Sequence, residues 1–473
     1  MKPAQQLLPD VPPELLAIIL SKLGTLDLAC LAGTCRLLWC GAPTHPPPLP
    51  TPGLVETELR RRAEARGLHI GSSLPDGALS WVPYLLKRDF YDMQRRQAPL
   101  AVGEQTGMSR RSIFVNKAGG LHLACRRAEI QAGKVGEPLV GYDWGSAAGT
   151  SGSVPPTLVP SMQGTRIVSV ATGGNHCLAL SAEGEVYSWG DGAAGALGHA
   201  DWDAEAGPRK IATLSRVESI TVGKIKSAAV DDRGRLFTWG RAVYGGGPSG
   251  LGYEHDPETA CQLTPKRVEA LSEDRVVGVA FSDGFTLAVT DAGAVFSFGY
   301  SPYGTLCHGS SASEVLPRRI EALAETGQRF VAATAGVYNA LALTEENHVY
   351  EWSDGPVNGR GTEQPTPRLT TALAGEHVRF VYTHGFSSCA VTEKGELYTW
   401  SQGQQQTPKR VEALRHVKIA AVAICGTHTL VAGADGVAWA FGEHAALGLG
   451  DIDAPRGIIV GQPTPIPNLR LRV

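Results

Sequence analysis

His176 and His428 stand at the same place in two copies of a short phrase, GGNHC at 173–177 and GTHT at 426–429. Paired histidines at matched positions are what a metal site or an acid–base pair would need. The other copies put Lys226, Phe285, Asn339 and Ser387 there. A position that takes a cation, an aromatic ring, an amide and a hydroxyl is under no common chemical demand, so hydrogen bonding at a turn explains the histidines better than chemistry. The nine cysteines, at 30, 35, 40, 125, 177, 261, 307, 389 and 425, are scattered through apolar segments. The first three, five residues apart, fit neither a CxxC zinc knuckle nor one face of a helix, and all nine read as small buried hydrophobes of a reducing compartment. Gly245, Gly246 and Gly247 do not sit between a strand and a helix, so they are loop glycines rather than a phosphate cradle. No Ser/His/Asp or paired-carboxylate pattern stands out, and the expectation is a protein that is not an enzyme and carries no cofactor or metal.

The elements that position these residues change character along the chain. Residues 1–97 read as helical. In PPELLAIILSKL, Leu15, Leu16, Ile19, Leu20 and Leu23 form one apolar stripe, behind Pro12 and Pro13 at a first turn where no N–H is needed. GAPTHPPPLPTPG at 41–53 stops any helix and reads as an extended connection, and two Arg-rich helical segments follow.

From residue 98 onward the period is that of strands, and one phrase returns: EGEVYSWG at 183, RGRLFTWG at 233, AGAVFSFG at 292, ENHVYEWS at 346, KGELYTWS at 394 and DGVAWAFG at 435, with a weaker AGGLHLAC at 118. The closing aromatics are Trp189, Trp239, Phe298, Trp352, Trp400 and Phe441, 41 to 59 residues apart, a spacing that signals a repeat architecture. Each phrase opens on a two-residue hairpin turn whose second residue, Gly184, Gly234, Gly293, Gly395, Gly436 or once Asn347, needs a positive φ. Each unit then closes through a proline and an apolar tail: PRKIATL at 208, PKRVEAL at 265, PRRIEAL at 317, PRLTTAL at 367 and PKRVEAL at 408. One unit of short strands cannot bury both faces, so neighbours must stack with the aromatic between them. Counting the weak copy, seven units close into a ring, and the tail PTPIPNLRLRV at 463–473 is expected to supply a strand to the incomplete first unit.

Composition agrees with many short elements. The 473 residues include 57 glycines and 31 prolines, and 43 Lys+Arg nearly balance 46 Asp+Glu to give a formal charge of -3. Such a balance creates no field that would draw in nucleic acid or an anionic membrane. No stretch approaches 18 apolar residues, and the prolines near the start do not suit a signal peptide, so an intracellular protein, cytoplasmic and/or nuclear, is expected.

The phrase G-x-V-Y-x-W-G, the preceding GGNHC and GTHT, and the following GALGH at 195–199 resemble the repeats of the regulator of chromosome condensation family, which are seven-bladed β-propellers. Residues 8–39, with the Pro-Glu-Leu-Leu start, Ile19-Leu20, Leu23, Asp27-Leu28, Thr34-Cys35-Arg36 and Trp39, resemble an F-box. The combination is similar to the fungal SCF-associated factor type. The resemblance implies an all-β seven-bladed β-propeller (98–473) behind a small α-helical F-box (1–42) and a Pro-rich linker with connecting helices (43–97). It implies the substrate-recognition subunit of a Skp-cullin-F-box ubiquitin ligase, monomeric within that complex. Its F-box would hold the Skp adaptor, and through it the cullin, with Pro12, Leu15, Leu16, Ile19, Leu20, Leu23, Leu28 and Leu31.

The insertions 241–262 and 300–314 are longer than the other connections, and loops of this kind are where propellers bind partners. Tyr244, Tyr253, Glu254, Asp256 and Tyr303 are therefore candidate substrate-docking residues. The alternative function that the repeat family implies is nucleotide exchange on a small GTPase, or a propeller scaffold for one. Against it stands the lack of a basic N-terminal arm. Kinship in function to the plant ultraviolet photoreceptors would need a G-W-R-H-T phrase, which this sequence lacks.

Overall fold

The computed structural model describes the short strands at 100–102, 112–115 and 121–124 and most of residues 157–470, apart from several loops. Six blades follow one plan. Their first three strands are Ile167–Thr172, His176–Ser181 and Val186–Gly190 in blade 1, Val217–Val222, Lys226–Asp231 and Leu236–Arg241 in blade 2, and Val276–Phe281, Phe285–Thr290 and Val295–Gly299 in blade 3. Blades 4 to 6 have Phe330–Ala335, Asn339–Thr344 and Val349–Ser353, then Val378–His384, Ser387–Thr392 and Leu397–Ser401, then Ile419–Ile424, His428–Gly433 and Val437–Glu443. All pairings are antiparallel. The second strand is buried along its whole length in blades 1 to 4, because the neighbouring blades cover both of its faces; hence its runs of small and apolar residues, such as HCLALS and NALALT.

The fourth, outer strands are Glu205–Lys210, Cys261–Arg267, Glu314–Arg319, Arg368–Leu369, Gln405–Arg410 and Ile459–Arg470. The proline phrase that reads in sequence as a linker thus begins as the end of this strand, and its apolar tail links blades. That tail tightens into one turn of helix, such as Glu269–Leu271, Glu321–Ala324 or Glu412–Leu414. Its last leucine, Leu214, Leu271, Leu323, Leu373 or Leu414, is at most 4% exposed. Leu214 packs with Leu178 and Leu180 of blade 1 and with Ile220 and Trp239 of blade 2, so the connection is itself an inter-blade wedge.

The hairpin turns fix the next joint. Gly184, Gly234, Gly293, Gly395 and Gly436 have φ between 77° and 83°, and Asn347 takes 66°. A Cβ on Gly184 would lie 2.9 Å from the Cα of Arg216 in the following segment. The approach has a purpose: the carbonyls of Gly184, Gly234, Gly293 and Gly395 accept hydrogen bonds of 2.9–3.1 Å from the N–H groups of Val217, Val276, Phe330 and Ile419, where the next blade begins.

Three expectations are corrected. The seven-bladed reading gives way to a six-bladed propeller. The weak copy at 118 lacks a closing aromatic and belongs to a sheet whose strands, Leu100–Val102, Ser112–Val115, Leu121–Ala124 and Thr157–Leu158, are too short to repeat the blade plan; Leu100–Val102 lies against the first strands of blades 1 and 6. No helical domain occurs among the described residues, whose helices are single turns, and residues 1–99, where the F-box and the connecting helices were expected, lie outside the described residues. The C-terminal strand does not cross to another unit. Ile459–Arg470 pairs with Val437–Glu443 of its own blade, because its prolines repeat the outer-strand register, Thr464 opposite Ala440 as Lys266 is opposite Thr238.

Replacing Leu323, 1% exposed, by alanine should cost about 2–4 kcal/mol in urea unfolding, as for other buried leucines. Glu321→Ala on the same turn should stay within about 0.5 kcal/mol.

Candidate functional site

The described side chains at the repeat's special positions join one blade to the next. Trp239 donates its indole N–H to the Ala196 carbonyl of blade 1 at 2.8 Å, and Trp352 donates to the Thr305 carbonyl of blade 3 at 3.0 Å. Both carbonyls belong to the connection between third and fourth strands, which folds down onto its neighbour. That connection is tied to its own blade as well: Ser188 donates to the Leu197 carbonyl at 2.7 Å and lies 2.8 Å from His199 Nε2, and Ser297 repeats both contacts with Leu306 and His308. In blade 2, Thr238 donates to the Leu251 carbonyl at 2.6 Å.

The matched position on the second strand is a second set of joints. His176 Nε2 lies 2.8 Å from Ser227 Oγ of the next blade. Asn339 donates to Ser388 Oγ at 3.0 Å, Ser388 to Thr383 Oγ1 and Thr383 back to Asn339 Oδ1, a closed triangle spanning two blades. Lys226, fully buried, donates to the carbonyls of Ser249 and Phe285, the second at 3.1 Å, and its ammonium sits 4.9 Å from the Phe281 ring centroid. Blade 3 has the buried Phe285 at the matched position, and in blade 4 the register that holds Ser227, Thr286 and Ser388 elsewhere holds Ala340. Burial pulls the His176 imidazole down to about 4 and the Lys226 ammonium down to about 7, against smaller upward pulls from Asp191 and Asp283.

At the end of the ring formed by the turns between first and second strands, Thr172, Gly173, Lys224, Ser282, Asp283, Gly336 and His384 surround a cavity of about 50 Å³. Lys224 Nζ stands 3.4 Å from Asp283 Oδ2, and burial lowers the His384 pKa. Among the described residues no group of three or more His, Cys, Asp or Glu is placed to hold a metal ion. Burial holds the Cys307 and Cys389 thiols protonated, Cys389 being pushed up to about 12. In the three Ser–His contacts, His176–Ser227, His199–Ser188 and His308–Ser297, each serine hydroxyl also donates to a backbone carbonyl, of Ala196, Leu197 and Leu306, so these pairs serve as joints.

The sequence-predicted docking residues separate. Tyr244 is on a short strand, Val243–Tyr244, paired with Gly247–Pro248. Tyr253 faces inward: its hydroxyl donates to the Thr238 carbonyl at 2.7 Å, its ring packs on the blade 2 core, Lys266 Nζ lies 4.4 Å above it, and burial raises its phenol pKa. It anchors the insertion. Glu254 beside it is exposed. Asp256, Tyr303 and all of Pro12, Leu15, Leu16, Ile19, Leu20, Leu23, Leu28 and Leu31 lie outside the described residues, and the side chain of His428 does too. The signal that could have placed Tyr253 is the alignment of GALGH, SGLGY and GTLCH, which puts it level with His199 and His308.

A repeat whose buried polar groups are spent on neighbouring copies marks a lineage, and residues 140–472 match the RCC1-like domain. The chain belongs to the RCC1-like domain family. It is 36% identical over 357 residues to the E3 ubiquitin-protein ligase HERC2 of Homo sapiens, covering 70% of this chain and 7% of HERC2. It is 30% identical over 298 residues to the ultraviolet-B receptor UVR8 of Arabidopsis thaliana, covering 58% of this chain and 66% of UVR8. Among solved structures, the RCC1-like fold is shared with yeast RCC1 (Prp20) in its complex with Kap60, at TM-score 0.60 and 19% identity over 85% of this chain and 90% of that one. The comparison with known families found no F-box domain. No helix among the described residues is long and apolar enough to cross a membrane.

Because the folded His176 value lies below that of the unfolded chain, unfolded protein binds more protons between pH 6.5 and about 4, and stability falls as pH drops through that window. The shift corresponds to about 3 kcal/mol. His176→Gln should flatten the decline in melting temperature between pH 6.5 and 4.5 relative to the parent protein; an equally steep decline would mean that other groups carry it.

Proposed function

We propose that this RCC1-like chain is a protein-binding propeller with no reaction of its own, which holds a folded partner, a small GTPase, against the face bearing the connections between third and fourth strands. The observation that carries this reading is Trp202. It stands 45% exposed between Asp201 and Asp203 on the blade 1 connection, in a fold whose other described tryptophans at the ends of the third strands are buried. Tryptophan is enriched among the residues that anchor protein interfaces. The 243–248 hairpin of blade 2 lies on the same face, since every third strand ends there. A partner of this class is supported by the yeast relative Prp20p, 19% identical, which binds Gsp1p and histones.

A second reading is substrate recognition for a ubiquitin ligase, through residues 8–39 as the Skp-adaptor contact and the propeller as the substrate contact. It is favoured by the 36% identity to HERC2, an E3 ubiquitin-protein ligase.

The two separate on measurement. Full-length protein should speed release of a fluorescent guanine nucleotide from, or stably capture, at least one member of a panel of purified small GTPases, and Trp202→Ala should weaken that tenfold or more without moving the melting temperature. Copurification of a Skp adaptor and a cullin, lost with Leu15→Asp plus Leu16→Asp while no GTPase responds, would decide for the second reading.

A further inference from the structure

Between blades 5 and 6 lies a groove of about 670 Å³, lined by Thr399, Val411, Ala413, Arg415, Phe441 and Pro463 among others. Its position in the repeat gives its meaning. Thr399 is opposite Lys409 as Ser188 is opposite Arg209, Phe441 is opposite Thr429 as Trp239 is opposite Ser227, and Pro463 precedes the Ala440 pairing as Pro265 precedes the Thr238 pairing. In blade 1, Ser188 and, across the joint, Trp239 and Pro265 are the residues against which the turn 195–199 is seated. Ser188 binds the Leu197 carbonyl, and a Cβ on Gly198 would stand 2.9 Å from the Trp239 indole nitrogen and 3.3 Å from Pro265. The groove is the berth of that turn.

Blade 5 has no turn to put there. Its third and fourth strands, Leu397–Ser401 and Gln405–Arg410, are separated by three residues, against fourteen between Val186–Gly190 and Glu205–Lys210. Three residues cannot supply the Gly-x-Leu-Gly-His segment that fills the berth in blade 1. The charges are left over as well. In blade 1, Arg209 is met by Asp201 of the turn at 3.4 Å and by Glu205 at 2.5 Å. At the matching places blade 5 has Lys409, which is exposed, no counterpart of Asp201, and Gln405 in place of Glu205. Arg415 and His416 add to the same rim, the Arg415 Nε donating to His416 Nε2 at 2.9 Å, and Glu412 is the acid among the lining residues.

We propose that this groove docks a turn from a partner protein that presents a leucine, followed four residues later by an acid, as Leu197 and Asp201 are in blade 1. The leucine enters the space between Thr399, Phe441 and Pro463, and the acid meets Lys409. The groove is apart from Trp202, so the proposal stands whether or not the loop-face reading of function holds.

The probe is a fluorescein-labelled peptide with the sequence of residues 194–203, AGALGHADWD, titrated with full-length protein at low salt and read by polarisation. Saturable binding is expected, weakened at least tenfold when the peptide leucine is changed to aspartate and at least fivefold by Lys409→Glu in the protein. A peptide carrying Asp201→Lys should recover binding to the Lys409→Glu protein. Ala413→Arg, which fills the groove, should abolish binding, and a melting temperature matching the parent's will show that each variant is folded. Absence of saturable binding, equal binding to the Ala413→Arg protein, failure of the charge exchange to restore affinity, or self-association of the protein through this groove would each overturn the proposal.

Discussion

Everything in this propeller depends on one constraint: a sheet of four short strands has two faces and can bury neither alone. The chain meets it by giving each blade the means to hold the next. A hairpin-turn carbonyl receives the first amide of the following blade, an indole or phenyl ring is pressed under the preceding connection, a leucine at the end of a helical turn is driven between the two, and polar groups on second strands bond across the joint. Each contact adds little individually, on the order of 1 kcal/mol for a hydrogen bond, but repetition around the ring makes the set cooperative.

The second-strand joint shows how freely this constraint can be met. Histidine against serine, lysine against threonine and backbone carbonyls, and asparagine within a hydroxyl triangle are chemically unlike, yet each satisfies its own partner. The depressed values of His176 and Lys226 therefore record how completely the joint is dried, and a perturbed pKa here marks cohesion rather than catalysis.

Much of the blade was legible in the sequence because it rests on local rules. Two-residue turns with a left-handed second residue, the alternation of VYSWG and the aromatic spacing each follow from a few neighbouring residues, and even the exchange of glycine for Asn347 kept its positive φ. The failures came where the rule is not local. Whether 118–125 forms a full blade depends on the lengths of the strands that pair with it, and whether the last strand stays home or crosses over depends on its register, Pro465 opposite Trp439 and Thr464 opposite Ala440. The candidate site was harder still. Tyr253 looked like a surface tyrosine because its loop is long, and only alignment with the histidines of GALGH and GTLCH shows a side chain turned inward. The groove between blades 5 and 6 could not be read from residues present, since it is defined by a connection too short to be there.

The outer strands carry a consequence for life at high concentration. Each blade ends in an open edge of backbone donors and acceptors, and an edge of this kind invites a strand from another molecule to continue the sheet. Here every described edge contains proline or an adjoining cation: Pro208 with Arg209 and Lys210, Pro265 with Lys266 and Arg267, Pro317 with Arg318 and Arg319, Pro408 with Lys409 and Arg410. A ring nitrogen without hydrogen breaks the ladder, and paired positive charges repel the same edge on a second copy. The phrase that recurs most faithfully at the end of the repeat is thus also a guard against sheet extension at the described edges.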